Sequence, residues 1–475
     1  MKRINRRHFL AESIQSIAGM SLGAAALSPA SDEVADTNNK TAISHRTSDH
    51  TIGANDKVIL ALIGAGNFGH RLITSMTKNN NAETKYLCDV DNNRGAGTIS
   101  ELEKIQGRAP KRVVDMREVF DDKDVNGIVI ATPEHWHALA TVWACQTGKD
   151  VYVEKNISMT IWESRKMLEA ARKYKCIVQC GTQNRSAPYG YSARDYIKSG
   201  KLGKVLLVKV YNMSRESGEF IPKPDSPVPA GLDWDRWLGP APEKPYNVER
   251  HKGWVNFWDY APGDLGHSAS HQLDFARLAM GDPLHPKSVY CLGGRLAYND
   301  YRETPDLQLV TYDYGDFAMT VDLTDFTPYI YKELDDVRFT DKFPDWPRNA
   351  TRVEIYGTER MMYLGRMGGG WQVLERKGRG KTAVVEIVDQ QPGRYPKELH
   401  EANFIDCIRS RKMPNGDIEQ GHYSATLVHL GNTSNRLGNK HLAFDGKTET
   451  FTNSSDANAL LKPAYRKNYR IPEQV

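Results

Sequence analysis

The sequence predicts an α/β protein whose N-terminal part is a doubly wound parallel sheet. Three observations support this prediction. Short apolar segments alternate with helical patterns between residues 58 and 180, a glycine-rich turn follows the first of them, and strand-like segments separated by turns fill the later half. The chain has 475 residues, 40% of them hydrophobic, which is enough for two or more domains with cores of their own.

The first strand and the turn after it form the most informative local motif. Val58–Ile63 is apolar throughout, and Gly64-Ala65-Gly66-Asn67-Phe68-Gly69 follows at once before a helical pattern. In such a turn Gly64 permits the tight bend, Gly66 lets the backbone approach a pyrophosphate, and Gly69 lets strand and helix pack closely. The helix start, with the N–H groups of Asn67 and Phe68, favours a phosphate. The motif predicts a dinucleotide site, with a purely structural turn as the alternative.

Asp89 ends the second predicted strand. It follows residues 85–88 and lies 20 residues after Gly69, where a carboxylate accepts hydrogen bonds from ribose hydroxyls. Asp91 adds a second negative charge, and the pair disfavours a 2′-phosphate by repulsion. We therefore expect NAD as the cofactor, with NADP as the alternative because Arg94 is near in sequence.

Polar residues follow the later strands of this part. Gly127–Ile130 is followed by Thr132-Pro133, Asp150–Val153 is followed by Glu154-Lys155, and a strand at 177–180 precedes Gln183. Ligands of doubly wound sheets bind at the carboxyl ends of the strands. The candidate cofactor-binding residues here are Thr132, Pro133, His135, His137, Glu154, Lys155 and Gln183.

Six motifs resemble those of the glucose–fructose oxidoreductase, inositol dehydrogenase and MocA (Gfo/Idh/MocA) family. They are ALIGAGNFG, ATPEHWHA, VYVEKN, GTQNRS, LDWDRWLGPAP and GDLGHSASHQLD. The resemblance implies a Rossmann domain at residues 57–181. It also implies a substrate-binding α/β domain at 182–475, built on a large open, mainly antiparallel sheet. The implied activity is oxidation or reduction of sugars, cyclitols or related polyols with NAD(P).

The second half contains segments suited to such a sheet. Strand-like patterns occur at 205–212, 288–292, 307–312, 317–323 and 352–356. The sequence Asp-Tyr-Gly-Asp at 313–316 predicts a hairpin turn. Residues 401–411 and 422–437 are typical of amphipathic helices that close the domain.

The resemblance assigns the first catalytic role to Lys155. A Glu-Lys-Pro motif of the family supplies a lysine near the nicotinamide and the reacting hydroxyl, and here it reads Glu154-Lys155-Asn156. Such a lysine stabilises a developing alkoxide or, with a depressed pKa, shuttles the proton. Asn156 stands where the family has proline, so we expect a different local backbone, because proline makes a cis peptide bond accessible.

The second catalytic element of the family is an Asp-x-x-x-His pair on a helix. The matching residues are His267 and His271, with His267 in place of the usual Asp. Residues at i and i+4 share a helix face, so both imidazoles are expected in one pocket, where they give or take a proton. Two such histidines also bind metal in some proteins, but no third ligand is evident, and no metal is predicted.

Aromatic residues upstream of this pair predict a sugar-binding wall. Trp254 and Trp258 offer apolar faces on which a sugar ring packs, and core packing is the alternative. Arg185, in GTQNRS, is a further candidate for lining the site. Together with Lys155, His267 and His271, these three residues form the predicted substrate-binding set.

The N-terminus resembles a twin-arginine export signal. Arg6-Arg7-His8-Phe9-Leu10 precedes a weakly apolar segment, which predicts a signal peptide at 1–30, a disordered linker at 31–56 and a periplasmic or other extracytoplasmic location. No later apolar run reaches about 18 residues, so we expect no membrane-spanning helix. The net charge is +4, of which +3 lies in residues 1–30, so no nucleic-acid partner is expected. The six cysteines are expected to be buried thiols.

Three functions remain open at this point. The favoured one is an exported sugar, glycoside or polyol oxidoreductase that keeps its cofactor tightly bound, since free nicotinamide nucleotide is scarce outside the cytoplasm. The second is a glycoside hydrolase or epimerase that works through a transient keto-sugar. The third is a sugar or nucleotide sensor without catalysis. The resemblance also implies a homo-oligomer packed through the open sheet.

Overall fold

Two sheets, each with its own core, organise the chain. The computed structural model describes residue 53 and residues 55–213 and 220–475. The predicted signal peptide at 1–30 and nearly all of the predicted linker at 31–56 lie outside the described residues. In the part that the structure describes, no helix is both long and apolar enough to cross a bilayer.

The first sheet is parallel and has six strands in the order β3-β2-β1-β4-β5-β6. Its strands are β1 (Val58–Ile63), β2 (Ala82–Cys88), β3 (Lys111–Val113), β4 (Gly127–Ile130), β5 (Asp150–Val153) and β6 (Val178–Cys180). The helices of this part are α1 (Asn67–Asn79), α2 (Ala96–Gln106), α3 (Met116–Phe120), α4 (His137–Gln146), α5 (Ile161–Lys173) and α6 (Pro188–Lys198). The strand order reverses at β1, between β2 and β4, and a crevice opens at the carboxyl ends of the strands there. The predicted doubly wound sheet is thus confirmed.

Local sequence explains these elements. Five of the six residues of β1 are buried, as expected for a strand covered on both faces. At the start of α5 the side chain of Thr160 accepts a hydrogen bond from the backbone N–H of Glu163, and the Glu163 carboxylate accepts one from Met159. Asp115 caps α3 in a similar way.

The second sheet has ten strands in the order β14-β13-β12-β11-β7-β10-β9-β8-β15-β16. They are β7 (Val205–Met213), β8 (Ser288–Gly294), β9 (Leu307–Asp313), β10 (Ala318–Thr324), β11 (Arg352–Gly357), β12 (Arg360–Gly365), β13 (Trp371–Lys377), β14 (Val384–Gln391), β15 (Leu442–Asp445) and β16 (Thr450–Phe451). The β7–β10 pair is parallel and the other pairs are antiparallel, so the sheet is mainly antiparallel, as the family resemblance implied.

Eight helices accompany this sheet in the described residues. They are α7 (Trp234–Leu238), α8 (Val248–Lys252), α9 (Gly263–His267), α10 (Ser270–Ala279), α11 (Asp335–Arg338), α12 (Lys397–Ser410), α13 (Ile418–Arg436) and α14 (Ser455–Ala459). Side chains of α6, α10 and α13 share one buried cluster with the inner face of the sheet. The predicted hairpin turn joins β9 and β10, where Gly315 has a φ of +86°.

Two segments from the later part of the chain pack against the first sheet. Phe404 and Ile408 of α12 pack in one cluster with Leu60 and Val129 of the parallel sheet. Near the C-terminus, Ile471 and Val475 join the core on the other face of that sheet. A single boundary at residue 182 therefore does not separate the two cores, because apolar side chains of α12 cover a face of the first sheet that its own helices leave open.

The six cysteines form no disulfide bonds. All six are buried free thiols, as predicted: Cys88, Cys145, Cys176, Cys180, Cys291 and Cys407.

Candidate active site

Three glycines shape the turn between β1 and α1. Gly64 has a φ of +93°, and a Cβ there would lie 2.6 Å from the carbonyl oxygen of Ala131, just after β4. A Cβ at Gly69 would overlap the carbonyl group of Gly64. At Gly66, the only atom of the described residues within 4 Å of an added Cβ is Nη1 of Arg94, at 3.6 Å. Gly64 and Gly69 thus permit close packing, and Gly66 leaves one side of the turn open.

Helix α1 begins at this open side. Gly66 is its N-cap, no side chain of the described residues caps the helix, and its first turn holds no acidic residue. The first N–H groups, those of Asn67 and Phe68 among them, therefore have no capping side chain as acceptor. With the helix dipole they favour a phosphate at this position.

Asp89 stands at the carboxyl end of β2 beside the turn. One carboxylate oxygen accepts a hydrogen bond from the backbone N–H of Ala65 at 2.7 Å, and the other accepts one from that of Asp91 at 2.9 Å. These bonds orient the carboxylate, whose pKa burial raises above its usual value. Arg94 lies nearby with its Nε 3.4 Å from a carboxylate oxygen of Asp91, so its charge is partly balanced by that residue.

Two adjoining cavities lie at this end of the parallel sheet. A cleft of about 260 Å³ is lined by Gly64, Gly66, Asp89 and Pro133, and a cavity of about 610 Å³ is lined by residues of both sheets. Four residues line both: Phe68, Ala131, Thr132 and Trp254. The hydroxyl of Thr132 is buried and has no hydrogen-bond partner among the described residues. The open turn, the uncapped helix start and this unpaired hydroxyl all fit a dinucleotide.

Lys155 lines the larger cavity just after β5. Its ammonium group donates a hydrogen bond to the backbone carbonyl of His267. Burial lowers its pKa below the usual 10.5, and the carboxylates of Glu134 and Glu154 oppose that shift. The Lys155–Asn156 peptide bond is cis. The expectation that Asn156 would change the backbone by removing a cis bond is therefore wrong.

His267 and His271 line the same cavity but do not belong to one helix. Helix α9 ends at His267, and α10 begins at Ser270, because the carbonyl of Asp264 accepts hydrogen bonds from both Ser268 and Ala269 and the last turn widens. The prediction of one continuous helix face is corrected in this respect. His271 is 9% exposed, and its Nδ1 has no partner among the described residues. Burial, aided by nearby positive charge, holds its pKa well below the usual range, so the imidazole is neutral.

Glu134 is a site residue that the sequence reasoning did not select. It is 1% exposed, lines the larger cavity, and places Oε1 3.1 Å from Nδ1 of His267. Its other carboxylate oxygen has no partner within the described part of the chain. The signal available in the sequence was its place between Pro133 and His135, directly after a strand of the parallel sheet.

The other predicted cofactor residues divide into two groups. His137, Glu154 and Gln183 line the larger cavity. Glu154 accepts hydrogen bonds from Tyr152 and Gln183, and burial raises its pKa to about 7. The two ring nitrogens of His137 lie 2.7 Å from the carbonyl oxygen of Asn156 and 2.9 Å from that of Thr132, so the ring lies between two loops. His135 does not line either cavity.

His135 is instead held in the protein interior. It is 2% exposed, and its Nε2 lies 2.9 Å from the carbonyl oxygen of Trp237. Its assignment to the cofactor site is corrected for this reason.

Two predicted substrate residues lie outside the cavities. Arg185 is 2% exposed, and its guanidinium bonds to Asp274 at 2.8 and 2.9 Å and to Asp282 at 2.9 Å. Trp258 lines a separate cavity of about 30 Å³, where the guanidinium of Arg436 lies over its ring. Both assignments are corrected. Trp254, by contrast, lies edge-on to His267, with ring centroids 5.5 Å apart.

The second domain contributes residues that no sequence motif marked. Lys332, Arg366 and Tyr395 line the larger cavity from loops around the ten-stranded sheet. The hydroxyl of Tyr395 donates to Gln183 at 3.2 Å and so links the segment before α12 to the loop after β6 across the site. These positions lie in segments without periodic pattern, which explains why the sequence did not single them out.

One group of potential metal ligands occurs elsewhere in the described residues. His285, His422 and Glu449 bring ligand atoms within 4.8 Å of one another. However, Arg165 donates hydrogen bonds to both carboxylate oxygens of Glu449, at 3.0 and 2.6 Å. The group is therefore an ion-pair network around Arg165, away from the two cavities.

Comparison with protein-family models and known proteins agrees with the family resemblance of the sequence motifs. Residues 58–182 match the Gfo/Idh/MocA model described as "Oxidoreductase family, NAD-binding Rossmann fold". Residues 193–316 and 382–471 match its companion, "Oxidoreductase family, C-terminal alpha/beta domain". The scyllo-inositol 2-dehydrogenase (NAD(+)) of Bacillus subtilis (strain 168) is 23% identical over 364 residues, which cover 75% of this chain and 88% of that protein.

Solved structures share the fold at low sequence identity. Levoglucosan dehydrogenase in complex with NADH and levoglucosan has a TM-score of 0.58 and 18% identity, covering 82% of this chain and 99% of that one. Aldose-aldose oxidoreductase from Caulobacter crescentus, complexed with glycerol, has a TM-score of 0.59 and 15% identity, covering 82% and 100%. The chain has the two-domain architecture of these enzymes and both sequence signatures, and it belongs to the Gfo/Idh/MocA oxidoreductase family.

Proposed function

We propose that the protein is an exported NAD-dependent enzyme that oxidises a secondary hydroxyl of a sugar, glycoside or cyclitol through Lys155, His271 and His267. The observation that carries this proposal is that these three residues line one cavity adjoining the dinucleotide cleft. The names of relatives, scyllo-inositol 2-dehydrogenase and levoglucosan dehydrogenase, support a polyol or sugar substrate.

The residues of the smaller cleft would hold the cofactor. Gly66 and the first N–H groups of α1 would bind its pyrophosphate, and Asp89 would accept hydrogen bonds from ribose hydroxyls. Asp91 beside it repels a 2′-phosphate, which favours NAD over NADP. Bound NAD supplies a hydride acceptor for the carbon that carries the reacting hydroxyl.

Lys155 is proposed to manage the hydroxyl proton. When the hydrogen on the substrate carbon is transferred to NAD as hydride, the hydroxyl proton must leave as well for a ketone to form. A neutral Lys155 amine accepts that proton, and its lowered pKa makes the neutral form accessible. The neutral imidazole of His271, whose Nδ1 has no partner in the described part of the chain, orients the hydroxyl by a hydrogen bond. The pH dependence of kcat/KM should therefore rise through a pKa below 10.5, and this limb should be lost in Lys155→Met.

Glu134 and His267 form a second acid–base pair in the same cavity. The carboxylate oxygen of Glu134, 3.1 Å from Nδ1, fixes the orientation of the His267 imidazole. This pair favours a second candidate function, in which the ketone is transient. The C–H next to a ketone is acidic, and His267 removes that proton before elimination or epimerisation, after which the hydride returns.

Export and cofactor retention are proposed from the N-terminal sequence. The twin-arginine pattern at Arg6-Arg7 is typical of a route that carries folded proteins, so the enzyme would leave the cytoplasm with its cofactor already bound. A second carbonyl substrate, or return of the hydride, would then regenerate it in place. Assembly through the open face of the ten-stranded sheet is supported by exposed Tyr290, Leu292 and Leu309 on β8 and β9.

The decisive experiment is to purify the mature protein without added nucleotide, denature it and identify what is released. We expect stoichiometric NAD(H). The protein is then tested on a panel of glycosides and cyclitols for ketone formation and for hydrolysis, alongside Lys155→Met, His271→Asn and the control Lys198→Met on the exposed side of α6. Turnover should fall at least about a hundredfold in the two cavity variants and stay unchanged in the control. Tight nucleotide without any turnover would instead establish the sensor alternative.

A further inference from the structure

We propose that the substrate carries a carboxylate, and that Arg366 binds it at the wall of the larger cavity. This inference rests on the proposed function, since it names the substrate class of the same site. It points to a sugar acid or an anionic glycoside in place of a neutral sugar.

Arg366 is a buried arginine at the cavity whose guanidinium has no ion-pair partner among the described residues. It follows β12, is 8% exposed and lines the 610 Å³ cavity. Its Nε is buried with no hydrogen-bond acceptor, and within the described residues no carboxylate lies at ion-pair distance from it. The ring of Tyr395, 5.7 Å away, is a weak contact in comparison.

Other buried arginines of this chain show how unusual that is. Arg185 bonds to two carboxylates, and Arg352 bonds to Glu354 at 2.7 Å. Arg277 donates to the carbonyl of Pro283 and to other oxygens. Because a buried charge without compensation is strongly unfavourable, an arginine that faces a cavity without acceptors is best explained by an anionic ligand.

The backbone around Arg366 is fixed, which suits a binding residue. Its carbonyl oxygen accepts a hydrogen bond from the side-chain amide of Asn184 at 2.6 Å. The carbonyl of Gly365 accepts one from the hydroxyl of Tyr189 at 2.9 Å. These bonds hold the backbone at Gly365 and Arg366, so the side chain of Arg366 starts from a fixed position at the cavity wall.

The charge of the cavity agrees with this assignment. Its lining contains six lysine or arginine side chains and four glutamates, and burial raises the pKa of two of these glutamates, Glu154 and Glu401, to about 7. The positive charge is not explained by the cofactor phosphates, because Arg366 does not line the glycine-turn cleft. A planar carboxylate matches the two parallel donors of a guanidinium, whereas a phosphate would bring a second negative charge toward Glu134 and Glu154.

The test is a binding comparison on the NADH-loaded protein. Calorimetry compares methyl glycosides of glucose, galactose and mannose with the corresponding uronic acids and 6-phosphates. We expect at least one uronic acid to bind about tenfold to a hundredfold more tightly than its neutral counterpart, as a charge-assisted pair predicts. Arg366→Gln should abolish this preference, and Arg366→Lys, which keeps the charge but not the paired donors, should retain part of it. The control Arg376→Gln, exposed on β13, should leave it unchanged.

Each outcome decides between the possibilities. Equal binding of acid and neutral sugar, or no binding of any acid, overturns the proposal, and tighter binding of the phosphates overturns the carboxylate assignment. A preference that survives Arg366→Gln overturns the role of this residue. Nucleotide release and turnover of neutral sugars are measured separately, so that a failure of the oxidoreductase function is distinguishable from a failure of the anion site.

Discussion

Replacing Arg185 by methionine should lower the unfolding temperature of the protein and leave its kinetic constants unchanged. The guanidinium is 2% exposed and the carboxylate of Asp274 1% exposed, with two bonds of 2.8 and 2.9 Å between them. A third bond of 2.9 Å joins Arg185 to Asp282. Methionine fills similar space but leaves the Asp274 carboxylate buried with only the hydroxyl of Ser424 as a side-chain donor.

Breaking one side of a buried ion pair destabilises a protein by about 3–5 kcal/mol. For a chain of this size, each kcal/mol lowers the unfolding temperature by about 2 °C, so Arg185→Met should lower it by about 6–10 °C. The matched control is Arg194→Met. Its side chain is 37% exposed and contacts the same Asp282 at 3.3 Å, and such exposed pairs contribute about 0–1 kcal/mol. The control should therefore shift the unfolding temperature by no more than about 2 °C.

The assay combines thermal unfolding followed by circular dichroism with steady-state kinetics well below the transition. We expect KM and kcat of Arg185→Met within about twofold of the parent, because Arg185 lines neither cavity. A variant with unchanged unfolding temperature and a KM raised tenfold or more would refute this reasoning. It would return Arg185 to the substrate-binding role that the GTQNRS motif suggested.

Three further predictions concern the site and the stability of the protein. Gly66→Ala should raise the Kd for NADH at least about tenfold in fluorescence titrations, because the added Cβ fills the open side of the turn. The unfolding temperature should not change, since among the described residues this Cβ meets only Arg94. Unchanged affinity for NADH would contradict this prediction. Glu134→Gln should lower kcat at least about tenfold at unchanged NADH affinity, because the amide keeps the size of the side chain but removes the carboxylate beside His267. A kcat equal to that of the parent would argue against a catalytic role for the Glu134–His267 pair. Burial lowers the pKa of His135 and of His400 from 6.5 to about 4, so the folded state binds fewer protons than the unfolded state between these values. The contribution of these two histidines to stability should therefore be full above pH 6.5 and decrease as the pH falls toward 4, while Glu154 and Glu401, whose pKa burial raises to about 7, act in the opposite direction. A difference in urea midpoint between the parent and His400→Gln that stays constant between pH 7 and 5 would show this account to be wrong.

The first sheet was predictable because its signals are local. The apolar residues of β1, the left-handed Gly64 and the carboxylate of Asp89 all lie between residues 58 and 89. In the second sheet, β8, β9 and β10 were predictable from alternating side chains and the turn at Gly315. Strands β12–β14 were missed: β13 and β14 carry charged residues and expose much of their surface, so apolar alternation is weak there.

The site was predictable only in part, for a related reason. Lys155 and His271 were found through motifs with fixed spacing. Glu134 stood inside a recognised motif, yet its pairing with His267 joins residues 133 positions apart. Such a contact depends on the path of the chain between them, which no local pattern specifies.

Arg185 and Arg366 show most clearly what the sequence determines and what only the tertiary structure decides. The sequence by itself determined the nucleotide-binding fold and the family, and it indicated Lys155 and His271 as candidate site residues, because each of these signals lies within a short motif. Only the tertiary structure decided that Arg185 is neutralised by Asp274, 89 positions away, while Nε of Arg366 has no hydrogen-bond acceptor among the residues that the structure describes. The physical reason is that the role of a buried charge is set by the groups that surround it in space, and folding brings those groups together from distant parts of the chain.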